Sequence, residues 1–182
     1  MRKEGPELIY SNSKFLIRPW QIGDEVTLAQ NANNKKIWAS LKDIFPYPYT
    51  IEDAKTWINL ANSKSSTSDF AIVVNGDAVG GIGFIPGEDV YRGNMEIGFW
   101  IGEAYWGKGI MTMAVNEMVK WLFDSFQINR IFASVFAFNK GSMRVLEKAG
   151  FVLEGKFKKA LIKDNQIIDE YIFSILNSKL YH

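Results

Sequence analysis

The chain contains no cysteine, and its single histidine, His182, is the last residue. Without thiols, disulfides, thiolate nucleophiles and cysteine-held metal centres are excluded together. With histidine confined to the end, the expected catalytic base is a carboxylate, a tyrosine, a lysine or water. An excess of one charge is also lacking: 21 Lys and Arg against 20 Asp and Glu leave a net charge of +1. No global field therefore draws the chain to nucleic acid. No run of about 18 apolar residues exists to span a bilayer as a helix. Met1 to Pro6 lacks the apolar core of a signal peptide. The expectation is a cytoplasmic protein without nucleic-acid or membrane partners.

At 182 residues and 47% hydrophobic content, the chain has the size for one domain, 1–182, with a substantial core. Residues 1–13 are polar around Pro6 and read as a loose arm or a short edge strand. Phe15 to Trp20 reads as a strand stopped by Pro19, and Asp24 as the cap of a helix to about Asn34 with Val26, Leu28 and Ala29 inward. Lys35 to Thr50, with Pro46 and Pro48 among large aromatics, resists regular structure. Thr50 and Asp53 form a capping box that opens a helix from Ile51 to about Ala61. Asn62 to Ser68 is a polar loop.

Phe70–Val74 and Ala78–Ile85 flank Asn75-Gly76-Asp77, a strong hairpin signal. Pro86 to Asp89 turns the chain into the strand Met95–Ile101. Arg130–Phe136 reads as a buried strand, and Asn139 as the cap of a helix with stripe Met143, Leu146 and Ala149 that Gly150 ends. Phe151–Gly155 opens a final pair of strands that turns near Asp164-Asn165 and returns through Ile167 to Leu176. The apolar stretch Ile167–Leu180 could pair across a dimer or complete the sheet, so monomer and homodimer both stand. The fold class is α/β (α+β), with a mixed, mostly antiparallel sheet of about seven strands flanked by about four helices.

The centre of this arrangement is the stretch from Glu96 to Phe126. A β-rich strand leads into Tyr105-Trp106-Gly107-Lys108-Gly109, and a long run without Gly or Pro follows from Ile110. Met111, Val115, Met118, Leu122 and Phe126 recur at helical spacing and mark one buried face. A strand, a glycine loop and a helix N-terminus in that order form an anion site, since free N–H groups and the positive end of the helix dipole face the loop. The loop lacks the Gly-Lys-Ser/Thr of a Walker A motif and the third glycine of the dinucleotide fingerprint, where Thr112 stands.

Glu96-Ile97-Gly98-Phe99-Trp100-Ile101, followed by Tyr105-Trp106-Gly107-Lys108-Gly109-Ile110-Met111-Thr112, resembles the acyl-CoA-binding core of the GNAT N-acetyltransferase superfamily. Within it the closest resemblance is to the RimJ/RimL-type branch. Asn139-x-x-Ser142-x-x-x-Leu146-x-x-x-Gly150-Phe151 resembles the family's second signature, and Pro46 to Trp57 resembles the same branch. The resemblance implies acetyl-CoA as co-substrate, no metal, and a fold in which the strands at Glu96 and Ile131 part to admit the acyl chain. It implies pantetheine contacts from Phe99, Trp100, Ile101 and Asn139, and pyrophosphate contacts from Trp106, Gly107, Lys108, Gly109, Ile110, Met111 and Thr112. Trp106 stands where the wider superfamily often has Arg or Gln. Met111 stands where Gly or Ala is usual, so it crowds the pyrophosphate or turns into the core.

Moving an acetyl group from a thioester to an amine requires a neutral amine, oxyanion donors and a proton for the thiolate. Glu96 is the candidate base, directly or through water; its alternative is a cross-strand ion pair. Ser142 is the candidate proton donor to the thiolate, with Tyr171 and Tyr105 behind it; plain helix capping by Asn139 and Ser142 is compatible with that role. Trp38, Tyr47 and Tyr49 are the candidate acceptor-binding wall, or an aromatic plug, and Asp169 or Glu170 the candidate partner of the incoming ammonium. A polycationic acceptor would call for an acidic groove, for which Asp43, Glu52, Asp53, Glu88 and Asp89 are available. Lys156, Lys158 and Lys159 read as a solvated strand face. The resulting expectation is an acetyl-CoA-dependent N-acetyltransferase acting on a protein N-terminal amine or a small amine. A non-catalytic acyl-CoA sensor of the same fold is the alternative.

Overall fold

A computed structural model describes residues 8–63 and 68–178. Along the chain run β1 (Tyr10–Ser11), β2 (Leu16–Pro19), α1 (Glu25–Ala32), α2 (Lys35–Ala39), α3 (Ile51–Ser63), β3 (Asp69–Val74), β4 (Asp77–Pro86), β5 (Asn94–Ile101), α4 (Ile110–Ser125), β6 (Arg130–Phe136), α5 (Lys140–Lys148), β7 (Val152–Lys163) and β8 (Gln166–Leu176). Single turns of 3-10 helix stand at Asp89–Tyr91 and Glu103–Tyr105. The strands are hydrogen-bonded in the order β1-β2-β3-β4-β5-β6-β8-β7. The expected mixed sheet is present, with eight strands and five helices among the described residues where about seven and four were expected.

The chain divides into two compact units, one reaching to Gly83 and resuming over Phe99–Ala114, the other holding Phe84–Gly98 and everything from Val115. In the first unit Asn75 (φ 53°) and Gly76 (φ 93°) make the tight turn of the β3–β4 hairpin. Leu28, Ala54 and Ile58 are buried against Trp20 and Ala71 in its core, each large aliphatic contributing roughly 1.5–3 kcal/mol. The capping box forms as read: Thr50 N–H donates to Asp53 at 2.8 Å, and Asp53 N–H donates to the Thr50 hydroxyl at 3.2 Å.

One of the two readings of residues 1–13, the short edge strand, holds, and four other expectations for this unit are corrected. Tyr10–Ser11 is an edge strand because Tyr10 pairs with Ile17; residues 1–7 lie outside the described ones. Asp24 precedes α1 without capping it, because its buried carboxylate is drawn back to Arg18 (2.7 and 2.8 Å) and the Gln21 N–H. Val26 is exposed, and Ala32 takes the inward place beside Leu28 and Ala29. Lys35–Ala39 is helical, since the Asn34 side chain accepts from the Lys36 N–H at 2.9 Å. Of the polar loop read at Asn62–Ser68, Asn62 and Ser63 are the last residues of α3, and 64–67 lie outside the described residues.

In the second unit β5 and β6 pair in parallel through three positions only, Asn94↔Arg130, Met95↔Ile131 and Glu96↔Phe132, although β5 continues to Ile101 and β6 to Phe136. β6, read as a buried strand, is buried at Ile131, Ala133 and Val135 and half-buried at the alternate positions. α4 buries Val115, Met118 and Leu122 here, and Met111 in its first-unit portion, but Phe126 lies beyond the helix end and is exposed, its ring against Phe84 and Trp121. α5 buries Met143, Leu146 and Ala149, with Gly150 (φ 86°) ending it. β8 has β6 on one side and β7 on the other, so it completes the sheet and offers no open edge. His182 and the end of the stretch read to Leu180 lie outside the described residues.

Candidate active site

The glycine loop belongs to the first unit. The Gly102 N–H donates to Val79 O at 2.8 Å, fixing the end of β5. Trp106 then folds its indole back, Nε1 donating to Ile101 O at 2.8 Å. Gly107 (φ 73°) and Gly109 (φ 76°) adopt the left-handed conformation that glycine tolerates, and a Cβ at either would meet no heavy atom within 4 Å. The backbone is thus exposed where α4 begins, and the unpaired N–H groups of its first turn open onto that space. These residues fit a phosphate of the co-substrate. Lys108 is exposed and lies 5.3 Å from the Tyr105 ring. Met111 is buried, in keeping with a side chain turned into the core.

The turn before the loop is anchored to α2. Glu103 accepts from Asn34 Nδ2 at 2.7 Å and from Lys36 Nζ. The Lys36 ammonium, then the Asn34 amide, hold its carboxyl below the usual range. On the same unit Trp38 and Tyr47 stack at 5.9 Å, Tyr47 largely exposed. Tyr49 is instead a core residue, 5% exposed, packed on Phe45, which in turn meets Trp100 at 5.6 Å. Burial, then the Asp53 carboxylate, push the Tyr49 phenol upward. Among the five acids available for an acidic groove, Asp53 is committed to its capping box and Glu52 lies 3.9 Å from Lys55.

In the second unit, Asn139 Oδ1 accepts from the Ser142 N–H at 3.1 Å, and Asn139 Nδ2 donates to Ser142 Oγ at 3.0 Å. The Ser142 oxygen is thereby oriented at the start of α5 and keeps its own proton to donate. Glu96 stands half-buried at the last position of the β5–β6 ladder and lines a cavity of about 420 Å³ with Tyr91, Asn94, Arg130 and Phe132. Across the ladder, the Arg130 guanidinium is engaged by Glu154 and Asn94. Its Nε donates to Glu154 at 3.2 Å, its Nη2 also reaches Glu154, and Nη1 lies 3.4 Å from Asn94 Oδ1.

The last strands use their acids locally. Asp169 accepts from the Lys159 N–H at 2.8 Å, where Lys159 takes a positive φ of 54°, and Glu170 accepts from Ser134 Oγ. The Tyr171 ring lies 5.2 Å from Lys156 Nζ and 5.7 Å from Lys140 Nζ. Lys156, Lys158 and Lys159 are exposed, the solvated face expected. Sequence reasoning missed Tyr91, Asn94, Arg130, Phe132 and Glu154. The period-2 alternation of β6 would have put Arg130 and Phe132 on the face of Glu96, but no local signal joins Arg130 to Glu154.

The sequence matches the family model described as acetyltransferase (GNAT) domain over residues 14–152. The chain belongs to this family of N-acetyltransferases. It is 28% identical over 175 residues to an uncharacterised N-acetyltransferase, p20, of Bacillus licheniformis, covering 93% of this chain and 96% of that one. It is 26% identical over 184 residues to the ribosomal protein uS5 alanine N-acetyltransferase of Escherichia coli K12, covering 96% and 93%. The microcin C7 self-immunity acetyltransferase MccE, solved with acetyl-CoA and AMP, superposes with a TM-score of 0.77 at 26% identity, covering 91% and 94%. The chain is an acetyl-CoA-dependent N-acetyltransferase that acetylates an amine. Among the described residues no helix is long and apolar enough to cross a membrane, and no group of three metal-ligating side chains occurs.

Proposed function

We propose that the acetyl group passes directly to a primary amine in a ternary complex, with Glu96 as base and Ser142 as acid. The carrying observation is the pair of placements: Glu96 at the point where the β5–β6 ladder ends, and the Ser142 hydroxyl oriented by Asn139 at a helix N-terminus. Glu96, directly or through a water, takes a proton from the ammonium. The freed nitrogen bonds to the acetyl carbonyl carbon, the carbon–sulfur bond breaks, the sulfur takes a proton from Ser142, and the second proton that the nitrogen sheds on becoming an amide restores the Ser142 hydroxyl. The helix N-terminus at Asn139 favours the negative charge that develops on sulfur.

In this reading the pyrophosphate lies on the loop Trp106–Thr112, with Lys108 as its cation. Backbone groups of Phe99, Trp100 and Ile101, together with Asn139, face the pantetheine. Trp38 and Tyr47 contribute the exposed part of the acceptor wall, Tyr49 supports it from within, and Asp169 acts chiefly in shaping β7. The acceptor is a protein N-terminal amine or a small-molecule amine. We also propose a cytoplasmic location, in keeping with a chain that has no cysteine.

Thiol release with acetyl-CoA and a panel of amines and N-terminal peptides tests the reading, alongside calorimetric binding of acetyl-CoA. Glu96→Gln and Ser142→Ala are each expected to lower kcat by about 100-fold while acetyl-CoA still binds. Binding without thiol release from any acceptor would favour an acyl-CoA sensor instead.

A further inference from the structure

We propose that Glu103 is a positioning residue that ties α2, and with it the aromatic pair Trp38 and Tyr47, to the lead-in of the glycine loop, so that seating acetyl-CoA on the loop orders α2. The inference rests on the reading of Trp106–Thr112 as the pyrophosphate site. Glu103 lies three residues before Trp106, and the turn it opens is closed on itself. The Tyr105 N–H donates to Gly102 O at 2.9 Å and the Trp106 N–H to Glu103 O at 3.1 Å. A shift of the first loop residues is thus passed to Glu103.

Against this turn stands the link between α1 and α2, Asn31-Ala32-Asn33-Asn34. A Cβ on Gly102 would meet the Asn31 side chain, its Cβ at 3.2 Å, so the turn lies directly on the end of α1. Asn31 is itself fixed by Nδ2 donating to Thr27 O at 2.9 Å. Asn34 faces both ways: its Oδ1 accepts the Lys36 N–H at 2.9 Å and caps α2, while its Nδ2 donates to Glu103 at 2.7 Å. The Lys36 ammonium reaches the other oxygen of the same carboxylate. Asn33 Oδ1 accepts the Tyr49 N–H at 3.0 Å and joins the segment after Tyr47 to the same link.

α2 is the element such a tie can order. It has five residues, of which Ile37 is buried, and a helix of that length has no stability of its own. Its first turn depends on the Asn34 cap, and the far end of that cap is held by Glu103. An exposed ion pair adds little to the stability of a whole fold, so the bridge holds one element in place and does not keep the protein folded. Coupling of this kind is reciprocal: what fixes the loop fixes α2, and what docks on Trp38 and Tyr47 steadies the loop. With that pair read as acceptor wall, acetyl-CoA and acceptor strengthen each other's binding.

The test is hydrogen exchange of the full chain, followed by mass spectrometry with and without acetyl-CoA, in the wild type, Glu103→Ala and Glu103→Gln. In the wild type, acetyl-CoA is expected to slow exchange at least about fivefold both at residues 107–113 and at residues 36–40. Glu103→Ala should keep the slowing at 107–113 and abolish it at 36–40. Glu103→Gln, whose amide oxygen still accepts from Asn34, should retain most of it at both. A merely structural Glu103 would speed exchange at 36–40 equally with and without acetyl-CoA, leaving the ratio in Glu103→Ala as in the wild type. That outcome overturns the proposal, as does a wild type slowed at 107–113 and not at 36–40. No slowing at 107–113 overturns the reading of the loop, and the coupling with it.

Discussion

The indole nitrogen of Trp106 donates to the carbonyl of Ile101 across 2.8 Å, tying the glycine loop to the strand that precedes it. The side chain at a position where the superfamily often places Arg or Gln here acts as a strut. Trp106→Phe keeps the ring and removes the donor. It is expected to lower stability by about 1 kcal/mol and to weaken acetyl-CoA binding several-fold, read by denaturant unfolding and by calorimetric titration. Unchanged affinity would show that the loop keeps its shape without the bond.

Gly80 lies against the backbone of β5. A Cβ there would come within 2.5 Å of the Trp100 carbonyl oxygen and 2.9 Å of the Ile101 Cα, neither of which can rotate away. Gly80→Ala should therefore destabilise by at least about 2 kcal/mol in urea unfolding, despite the better strand propensity of alanine. Wild-type stability in this variant would mean that β4 and β5 have slack to separate.

Three carboxyls are held below their ordinary values: Asp53 by the Thr50 hydroxyl and N–H, Glu103 by Lys36 and then Asn34, and Glu154 by Arg130. Each folded-state value is depressed, so each contribution is complete above the unfolded value, 3.8 for Asp53 and 4.5 for the two glutamates, and is lost as pH falls below it. Tm measured from about pH 6 to about pH 3 should fall, and Glu154→Gln should flatten the fall. Because these groups are largely exposed, the difference will be modest. Parallel profiles would contradict the assignment.

Tyr49 gives the opposite signature. Burial raises its phenol above the ordinary 10.0, so below that pH it is neutral in both states and costs nothing. Above it the unfolded chain ionises first and stability is lost as pH rises. Tyr49→Phe is expected to move alkaline unfolding, followed by circular dichroism, to higher pH. An unshifted transition would mean that the ring is not held from water.

The features legible in the sequence are those in which cause and effect lie a few residues apart. The Thr50–Asp53 box, the Asn75-Gly76 turn, the Asn139 cap and the Gly150 helix end each carry their own chemistry. The glycine loop before α4 was legible for the same reason. α2 was not, since beyond its Asn34 cap it is braced by Glu103, 67 residues from Lys36. Val26 and Phe126 were misplaced at helix ends, where a period of 3.6 says least about which side is covered. Arg130 and Glu154 meet only because β8 sets β6 and β7 at a fixed register, which no window of sequence contains.

The chain leaves the first unit after Gly83, returns at Phe99 and leaves again after Ala114, and each passage falls inside β4, β5 or α4. No contiguous piece of the gene therefore encodes either unit. Neither can be cut out as one stretch of chain without severing β4, β5 or α4.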